Sequence, residues 1–73
     1  MILLQDINDK YMISTAQVRF FNLTVWETMV FPVENGEINY KEVCRVRTTE
    51  REVGIESHKR MCRRYGVPQK DTV

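Results

Sequence analysis

The segment Trp26-Glu27-Thr28-Met29-Val30-Phe31, followed by the turn Asn35-Gly36 and the run from Ile38 to Arg47, decides the fold. The first run is rich in β-branched and aromatic residues, which favour strands. An Asn-Gly pair between two such runs is the strongest short-range signal for a two-residue hairpin turn. We therefore predict two antiparallel strands joined at Asn35-Gly36.

A two-residue turn at this position fixes which residues of the two strands face each other. On one side of the hairpin the pairs are Phe31 with Tyr40, Met29 with Glu42, Glu27 with Cys44, and Val25 with Val46. On the other side they are Val30 with Lys41, Thr28 with Val43, Trp26 with Arg45, and Thr24 with Arg47. The first set is mostly apolar and the second is mixed, so we expect the first to face the core and the second to face outward.

The C-terminal third carries the signals of a single helix. Thr49 with Glu52 fits a capping box at its start, while Gly66 and Pro68 mark its end. One face of this helix is apolar and holds Gly54, Ile55, His58, Met61, Cys62 and Tyr65. A glycine inside a helix costs about 1 kcal/mol relative to alanine, so Gly54 indicates a close approach of the helix to the sheet.

The N-terminal half is predicted to add further strands. Residues 2–7 and 10–18 are typical of strands, and Asn8-Asp9 between them predicts a tight turn. The stretch from Val18 to Phe31 fits either one long strand or two strands with a loop at residues 19–22. We predict an α+β fold, in which an antiparallel meander of three or four strands carries one C-terminal helix on one face. Residues 1–66 form the domain, and residues 67–73 form a C-terminal tail.

The composition is that of a small globular domain. The chain has 73 residues, of which 42% are hydrophobic and 29% are charged, and its net charge is +1. A core of this size supplies about 3–5 kcal/mol, which favours self-association and leaves little room for an enzyme cleft. The sequence shows no signal peptide and no apolar run of roughly 20 residues, and its two cysteines make no disulfide framework. We expect a non-enzymatic cytoplasmic protein without membrane contact.

A polar cluster is predicted between the helix and the sheet. His58 lies on the apolar helix face, and Glu27 and Glu42 lie on the strand face that the helix should cover. Buried histidine and glutamate cost several kcal/mol unless they are paired, so a structural His–Glu hydrogen bond is the leading interpretation. A β-bulge that returns one glutamate to solvent and a catalytic acid–base pair are the alternatives. No nucleophile pattern accompanies the pair.

A metal-binding domain is a further alternative. His58 and Cys62 are one helical turn apart, and Cys44 projects toward the same face, so these three residues with Glu27 fit a tetrahedral zinc site. The sequence has neither a Cys-x-x-Cys nor a His-x-x-x-His pair, and buried free cysteines usually behave as small hydrophobic residues. We therefore expect no cofactor and no metal.

The outward side of the hairpin is the predicted contact surface for a partner. It combines aromatic, β-branched and basic side chains, namely Trp26, Thr28, Val30, Lys41, Val43, Arg45 and Arg47. Such a face suits a homodimer or another protein partner, because Trp and Arg are favoured at the centres of interfaces. A solvated face and a nucleic-acid surface are the alternatives, and the low net charge weakens the second.

A basic patch is predicted near the end of the helix, at Lys59, Arg60, Arg63 and Arg64. Basic residues in a last helical turn complement the helix dipole, so a solvated helix end is the simpler interpretation. The same residues also fit a footprint for nucleic acid or a nucleotide signal.

Several short motifs resemble a family of small proteins found in phages and prophages of bacteria. The motifs are Ile13-Ser14-Thr15, Trp26 to Phe31, Arg47-Thr48-Thr49-Glu50 and Ser57-His58, and the resemblance spans about residues 13 to 65. Members of that family read S-T-V, E-T-M-V-F and a helix that carries G-H. The resemblance implies a phage accessory role without a known chemistry, and Glu27 and His58 match the two most recognisable polar positions of the family. We predict that the protein acts in the host cytoplasm by binding a host or phage protein.

This chain departs from the family pattern at three places. A longer loop between the first two motifs shrinks here to about residues 19–22, Val53-Gly54 stands where the family has alanine, and Ser57 replaces the glycine before the histidine. Any activity that the longer loop carries in the family is therefore not expected here.

Overall fold

The computed structural model describes residues 1–71 and shows an antiparallel sheet with one helix packed on it, which confirms the predicted α+β class. The elements, in chain order, are β1 (Ile2–Ile7), β2 (Tyr11–Phe20), β3 (Leu23–Glu34), β4 (Glu37–Ile38), β5 (Cys44–Thr48) and α1 (Arg51–Tyr65). Strand β1 pairs with β2, β2 with β3, and β3 with both β4 and β5. Thr72 and Val73, which we assigned to the tail, lie outside the described residues.

The Asn35-Gly36 turn forms as predicted. Asn35 has φ 53° and Gly36 has φ 79°, the two positive values that a mirror-image two-residue turn requires. Glu34 lies opposite Glu37, and Val33 lies opposite Ile38. The turn therefore sets the register of β4 as the sequence indicated.

The predicted strand from Ile38 to Arg47 is wrong in its middle, because the chain leaves the sheet after β4. The Asn39 N–H donates to the Pro32 carbonyl over 2.9 Å, but Pro32 has no N–H with which to complete the pair. The Asn39 side-chain oxygen accepts the Lys41 N–H over 3.0 Å and turns the backbone away. Residues 39–43 form a loop, and β5 rejoins β3 three residues out of the predicted register, with Cys44 opposite Val30.

This shift of three residues reverses the predicted sides of β3. A shift by an odd number moves every side chain of one strand to the other face relative to its partner. Trp26, Thr28 and Val30 lie under the helix, on the helix side of the sheet. Cys44 and Val46 of β5 pack on that side too, as predicted. The odd-numbered residues of β3, which we had placed under the helix, lie on the opposite side of the sheet, where Val25 and Phe31 are buried all the same, at 5% and 8% exposure.

The helix approaches the sheet where Gly54 permits it, as predicted. A Cβ atom at Gly54 would lie 2.8 Å from the Trp26 Cβ, a distance that packed atoms do not adopt. The buried residues of the helix are Gly54, Ile55, Ser57, His58, Met61 and Cys62. Tyr65 is half-buried and packs edge-on against Tyr11, with ring centroids 4.9 Å apart.

The two ends of the helix differ in how well the sequence predicted them. The capping box is wrong, because the N-cap is Glu50 and makes no side-chain cap bond, while the Glu50 N–H donates to Thr48 Oγ1 over 3.1 Å. The C-terminal end is confirmed, since Gly66 has φ 69° and its N–H donates to the Cys62 carbonyl. The residues after it fold back onto the domain, and Val67 is part of the core.

Candidate functional site

A fully buried hydrogen-bond network lies between the helix and the sheet, centred on His58. Its Nδ1 is hydrogen-bonded to Thr15 Oγ1 at 2.9 Å, and Thr15 Oγ1 is hydrogen-bonded to Thr28 Oγ1 at 2.8 Å. Its Nε2 lies 2.8 Å from Asp6 Oδ2. We call Asp6, Thr15, Thr28 and His58 the buried network. Within the described residues, every buried side-chain nitrogen and oxygen has a hydrogen-bond partner.

The Asp6 carboxylate joins three parts of the chain. Its Oδ2 accepts from His58, and its Oδ1 accepts the backbone N–H groups of Lys70 at 2.7 Å and Asp71 at 2.9 Å. Burial alone would raise the pKa of Asp6, but the bond from His58 and the two backbone bonds outweigh it and hold the pKa below 3.8. The carboxylate is therefore ionised at neutral pH, so it accepts all three bonds.

Cys62 is the neighbour of this carboxylate on the helix. Its Sγ lies 3.9 Å from Asp6 Oδ2, and burial together with the Asp6 charge raises the pKa of the Cys62 thiol to about 11. The thiol is therefore protonated at neutral pH and behaves as an inert buried group in the metal-free chain.

The order Asp6, His58, Thr15 is that of an acid–base–hydroxyl relay, yet its hydroxyl is enclosed. Thr15 and His58 have no exposed surface, and Thr28 is 1% exposed. A nucleophile has to reach its substrate, and this hydroxyl already bonds a second threonine. The geometry therefore describes a structural network that holds the helix on the sheet.

The predicted polar cluster of Glu27, Glu42 and His58 does not form. His58 is buried as expected, but its partners are Asp6 and Thr15. Glu27 points to the side of the sheet away from the helix, where it is 8% exposed and pairs with Arg47 directly opposite on β5. Glu42 lies in the loop and pairs with Arg45 at 2.8 Å. The register shift is the cause, because it places Glu27 on the side away from the helix.

The predicted partner-binding residues do not form one surface, and this prediction is wrong. Thr28 and Val30 are buried under the helix, and Trp26 is half-buried beside Gly54. Lys41 and Val43 are exposed in the loop at residues 39–43. Arg45 and Arg47 lie on the side of the sheet away from the helix, each in an ion pair with a glutamate.

The basic patch is on the exposed helix face. Arg60, Arg63 and Arg64 are exposed, and Lys59 is half-buried with its Nζ 3.8 Å from Glu56. The Arg64 guanidinium lies 5.8 Å from the centre of the Tyr65 ring. The structure thus shows the solvated helix end, and no contact here identifies a ligand for it.

The predicted zinc set is rearranged. Glu27 is on the opposite side of the sheet, and Cys44 packs in the apolar cluster with Val30 and Met61. Asp6 takes their place, so that ligand atoms of Asp6, His58 and Cys62 all lie within 4.8 Å of one another.

An exposed apolar surface lies at the hairpin between β2 and β3. Phe20 is 41% exposed, Phe21 is 85% exposed and Leu23 is 58% exposed. Met1 and Ile2 are exposed as well, at 80% and 56%, but they lie beside Ala16 and Gln17, farther along β2. We call Phe20, Phe21 and Leu23 the apolar end.

Sequence reasoning missed Asp6 and Phe21 for different reasons. Asp6 follows Leu4 by two residues, so both side chains lie on the same face of β1, which is a sequence signal for a buried carboxylate. Its partner His58, however, is 52 residues away in the chain. Phe21 begins a two-residue turn with φ 58°, where glycine or asparagine is usual, so the sequence allowed a loop at residues 19–22 but did not place Phe21 at its exposed tip.

Comparison of the chain with protein-family models, curated proteins and solved structures finds no match. Among residues 1–71, no helix has the length and apolar character needed to cross a membrane.

Proposed function

We propose that the protein is a non-enzymatic protein-binding module of the phage accessory type, which pairs with a second copy of itself through the apolar end. The observation that carries the proposal is Phe21, a large aromatic residue that is 85% exposed at a position with φ 58°. A left-handed backbone costs an L-residue about 1–2 kcal/mol, and a ring that is 85% exposed gains little packing in return.

The other two-residue turn of the same chain shows what the fold alone requires. Asn35-Gly36 adopts positive φ with the residues that tolerate it best. The β2–β3 turn has Phe21 in the corresponding place, and its ring packs edge-on against Phe20 with centroids 4.9 Å apart. Backbone strain of this kind is kept where another role requires the side chain.

A second copy is the partner that the size of the chain favours. A chain of 73 residues buries only about 60% of its unfolded surface, so apolar burial in a twofold contact adds stability that the monomer lacks. Two of the exposed residues of the apolar end are phenylalanines, and aromatic residues are enriched at protein interfaces.

Nucleic-acid binding, the second candidate, has less support. Arg45 and Arg47 are neutralised by Glu42 and Glu27, and the Arg47 guanidinium also lies 4.4 Å from the centre of the Phe20 ring. The basic patch lies on one helix, and the aromatic ring beside it, Tyr65, is half-buried against Tyr11, which leaves a poor platform for base stacking.

The test is a concentration series by analytical ultracentrifugation on the wild-type chain, Phe21→Asn and Val53→Ser. Val53 is 49% exposed on the helix and serves as the matched control for loss of an exposed apolar side chain. We expect a monomer–dimer equilibrium in the wild type and in Val53→Ser, with a dissociation constant at least about tenfold higher in Phe21→Asn.

Two results would overturn the proposal. The first is a wild-type chain that stays monomeric throughout the series, and the second is an equal effect of Phe21→Asn and Val53→Ser. Tight, steeply salt-dependent binding of a single-stranded oligonucleotide that is lost in Arg63→Ala would support the second candidate instead.

A further inference from the structure

We propose that Asp6, His58 and Cys62 form a binding site for a divalent ion of the zinc type. Their ligand atoms, one carboxylate oxygen, one imidazole nitrogen and one sulfur, lie within 4.8 Å of one another. All three residues are buried, at 5%, 0% and 2% exposure. This inference is independent of the apolar end and of what binds there.

The outer atoms of these side chains are already held in the way that metal ligands are held. His58 Nδ1 is tied to Thr15 Oγ1, which directs Nε2 toward the cluster. Asp6 Oδ1 is tied to two backbone N–H groups, which directs Oδ2 toward His58 and Cys62. Hydrogen bonds to the outer atom of a ligand fix its orientation and raise its affinity for the metal.

The helix supplies the third ligand at the right spacing. Cys62 follows His58 by four residues, so both project from the same face of the helix toward β1. The Cys62 Sγ lies 3.9 Å from Asp6 Oδ2, and the His58 Nε2 lies 2.8 Å from the same oxygen. An ion placed between these atoms therefore needs only small movements of side chains.

The donor set selects the ion. One nitrogen, one sulfur and one oxygen suit Zn²⁺ and Co²⁺, whereas Mg²⁺ and Ca²⁺ prefer a set of oxygens. On binding, the Cys62 thiol releases its proton to solvent, and the His58 proton moves from Nε2 to Nδ1, from which it donates to Thr15. The thiolate and the carboxylate then neutralise the two positive charges of the ion, which makes the buried site electrically neutral.

The site is fully enclosed, so the ion has to enter while the chain folds. The experiment therefore refolds the chain in a reducing buffer with one equivalent of Co²⁺ or Zn²⁺, or with a chelator, and records the absorption spectrum and the thermal midpoint. A cobalt–thiolate band reports coordination by sulfur. The chain has two cysteines, so Cys44→Ser leaves Cys62 as the single thiol.

We expect one cobalt per chain with a thiolate band in the wild type and an undiminished band in Cys44→Ser. We also expect Zn²⁺ to raise the thermal midpoint of both chains relative to chelator, and Cys62→Ser to lose both effects. Absence of the band from Cys44→Ser, or an unchanged thermal midpoint with Zn²⁺, overturns the site. Because Cys44→Ser decides the assignment, the test holds even where Cys62→Ser fails to fold.

Discussion

The buried network and the apolar end invert the usual distribution of side chains. Under the helix, where apolar residues are the norm, lie a histidine, a carboxylate and two threonines with almost no exposed surface. At the β2–β3 turn, where polar residues are the norm, Phe21 and Leu23 stand in solvent. Complete hydrogen bonding makes the polar side chains of the buried network compatible with burial. The stability of the monomer, by contrast, does not explain the exposed side chains of the apolar end.

The largest expected effect is the loss of Asp6. Asp6→Ala leaves His58 Nε2 and the N–H groups of Lys70 and Asp71 without their acceptor, so we expect a loss of about 3–5 kcal/mol in the free energy of unfolding. Urea denaturation measures it, with the exposed Asp9→Ala as the control. A loss below about 1 kcal/mol would show that the interior does not depend on the network.

The pH dependence of the free energy of unfolding tests the contribution of Cys62, which borders the buried network. The measurement is made with a chelator, which keeps the chain metal-free. The pKa of Cys62 rises from 9.0 to about 11 on folding, so its contribution to stability is complete below pH 9.0 and is lost as the pH rises toward 11. We expect a loss on the order of 2 kcal/mol, measured as urea midpoints across this range. Cys62→Ala should flatten this alkaline limb, and Cys44→Ser should not.

Asp6 acts in the opposite direction at the acid end. Its pKa is lowered on folding from 3.8, so its contribution is complete above pH 3.8 and is lost as the pH falls through the folded value. The same titration of urea midpoints records both limbs.

The third prediction concerns the close contact between Gly54 of the helix and Trp26 of the sheet. Gly54→Ala gains helix propensity, but its Cβ would lie 2.8 Å from the Trp26 Cβ and would push the helix from the sheet. We expect a net loss of about 1–2 kcal/mol by urea denaturation. Val53→Ala, at the neighbouring exposed position, is the control. A gain near 1 kcal/mol in Gly54→Ala would mean that propensity outweighs the contact.

The smallest effect has the opposite sign and belongs to the apolar end. Phe21→Asn relieves the left-handed backbone at φ 58°, so we expect the monomer to gain about 0.5–1 kcal/mol, measured at concentrations too low for association. Asn22→Ala, next to it in the same turn, should give no such gain. A destabilised Phe21→Asn monomer would place the ring among the residues that hold the fold.

Local signals in the sequence were sufficient for much of the fold. The Asn35-Gly36 turn, the Gly66 end of the helix and the apolar helix face with His58 are all encoded within a few residues, and each is confirmed. The sides of β3 were not predictable in this way. Residues 25, 27, 29 and 31 are the more apolar set, yet the helix covers the set with Thr28, because Thr28 and Thr15 complete the bonds of His58.

The sequence also did not predict that the chain leaves the sheet after β4. Strand β3 continues through Pro32 to Glu34, but Pro32 lacks the N–H that would complete its pair with Asn39. The resulting shift of three residues moved Glu27 away from His58 and removed the predicted site. The actual carboxylate came from the N-terminal strand, at a separation that local patterns do not reach.

The bonds from Asp6 to the backbone of Lys70 and Asp71 have a consequence for biosynthesis. During translation the Asp6 carboxylate emerges 64 and 65 residues before its two backbone donors. The strands can pair as they emerge, but the buried network lacks the two backbone donors to Asp6 until Lys70 and Asp71 have emerged. Completion of the buried network is therefore a late event, and a product that stalls before Lys70 would carry the ionised Asp6 carboxylate without two of its three hydrogen-bond donors.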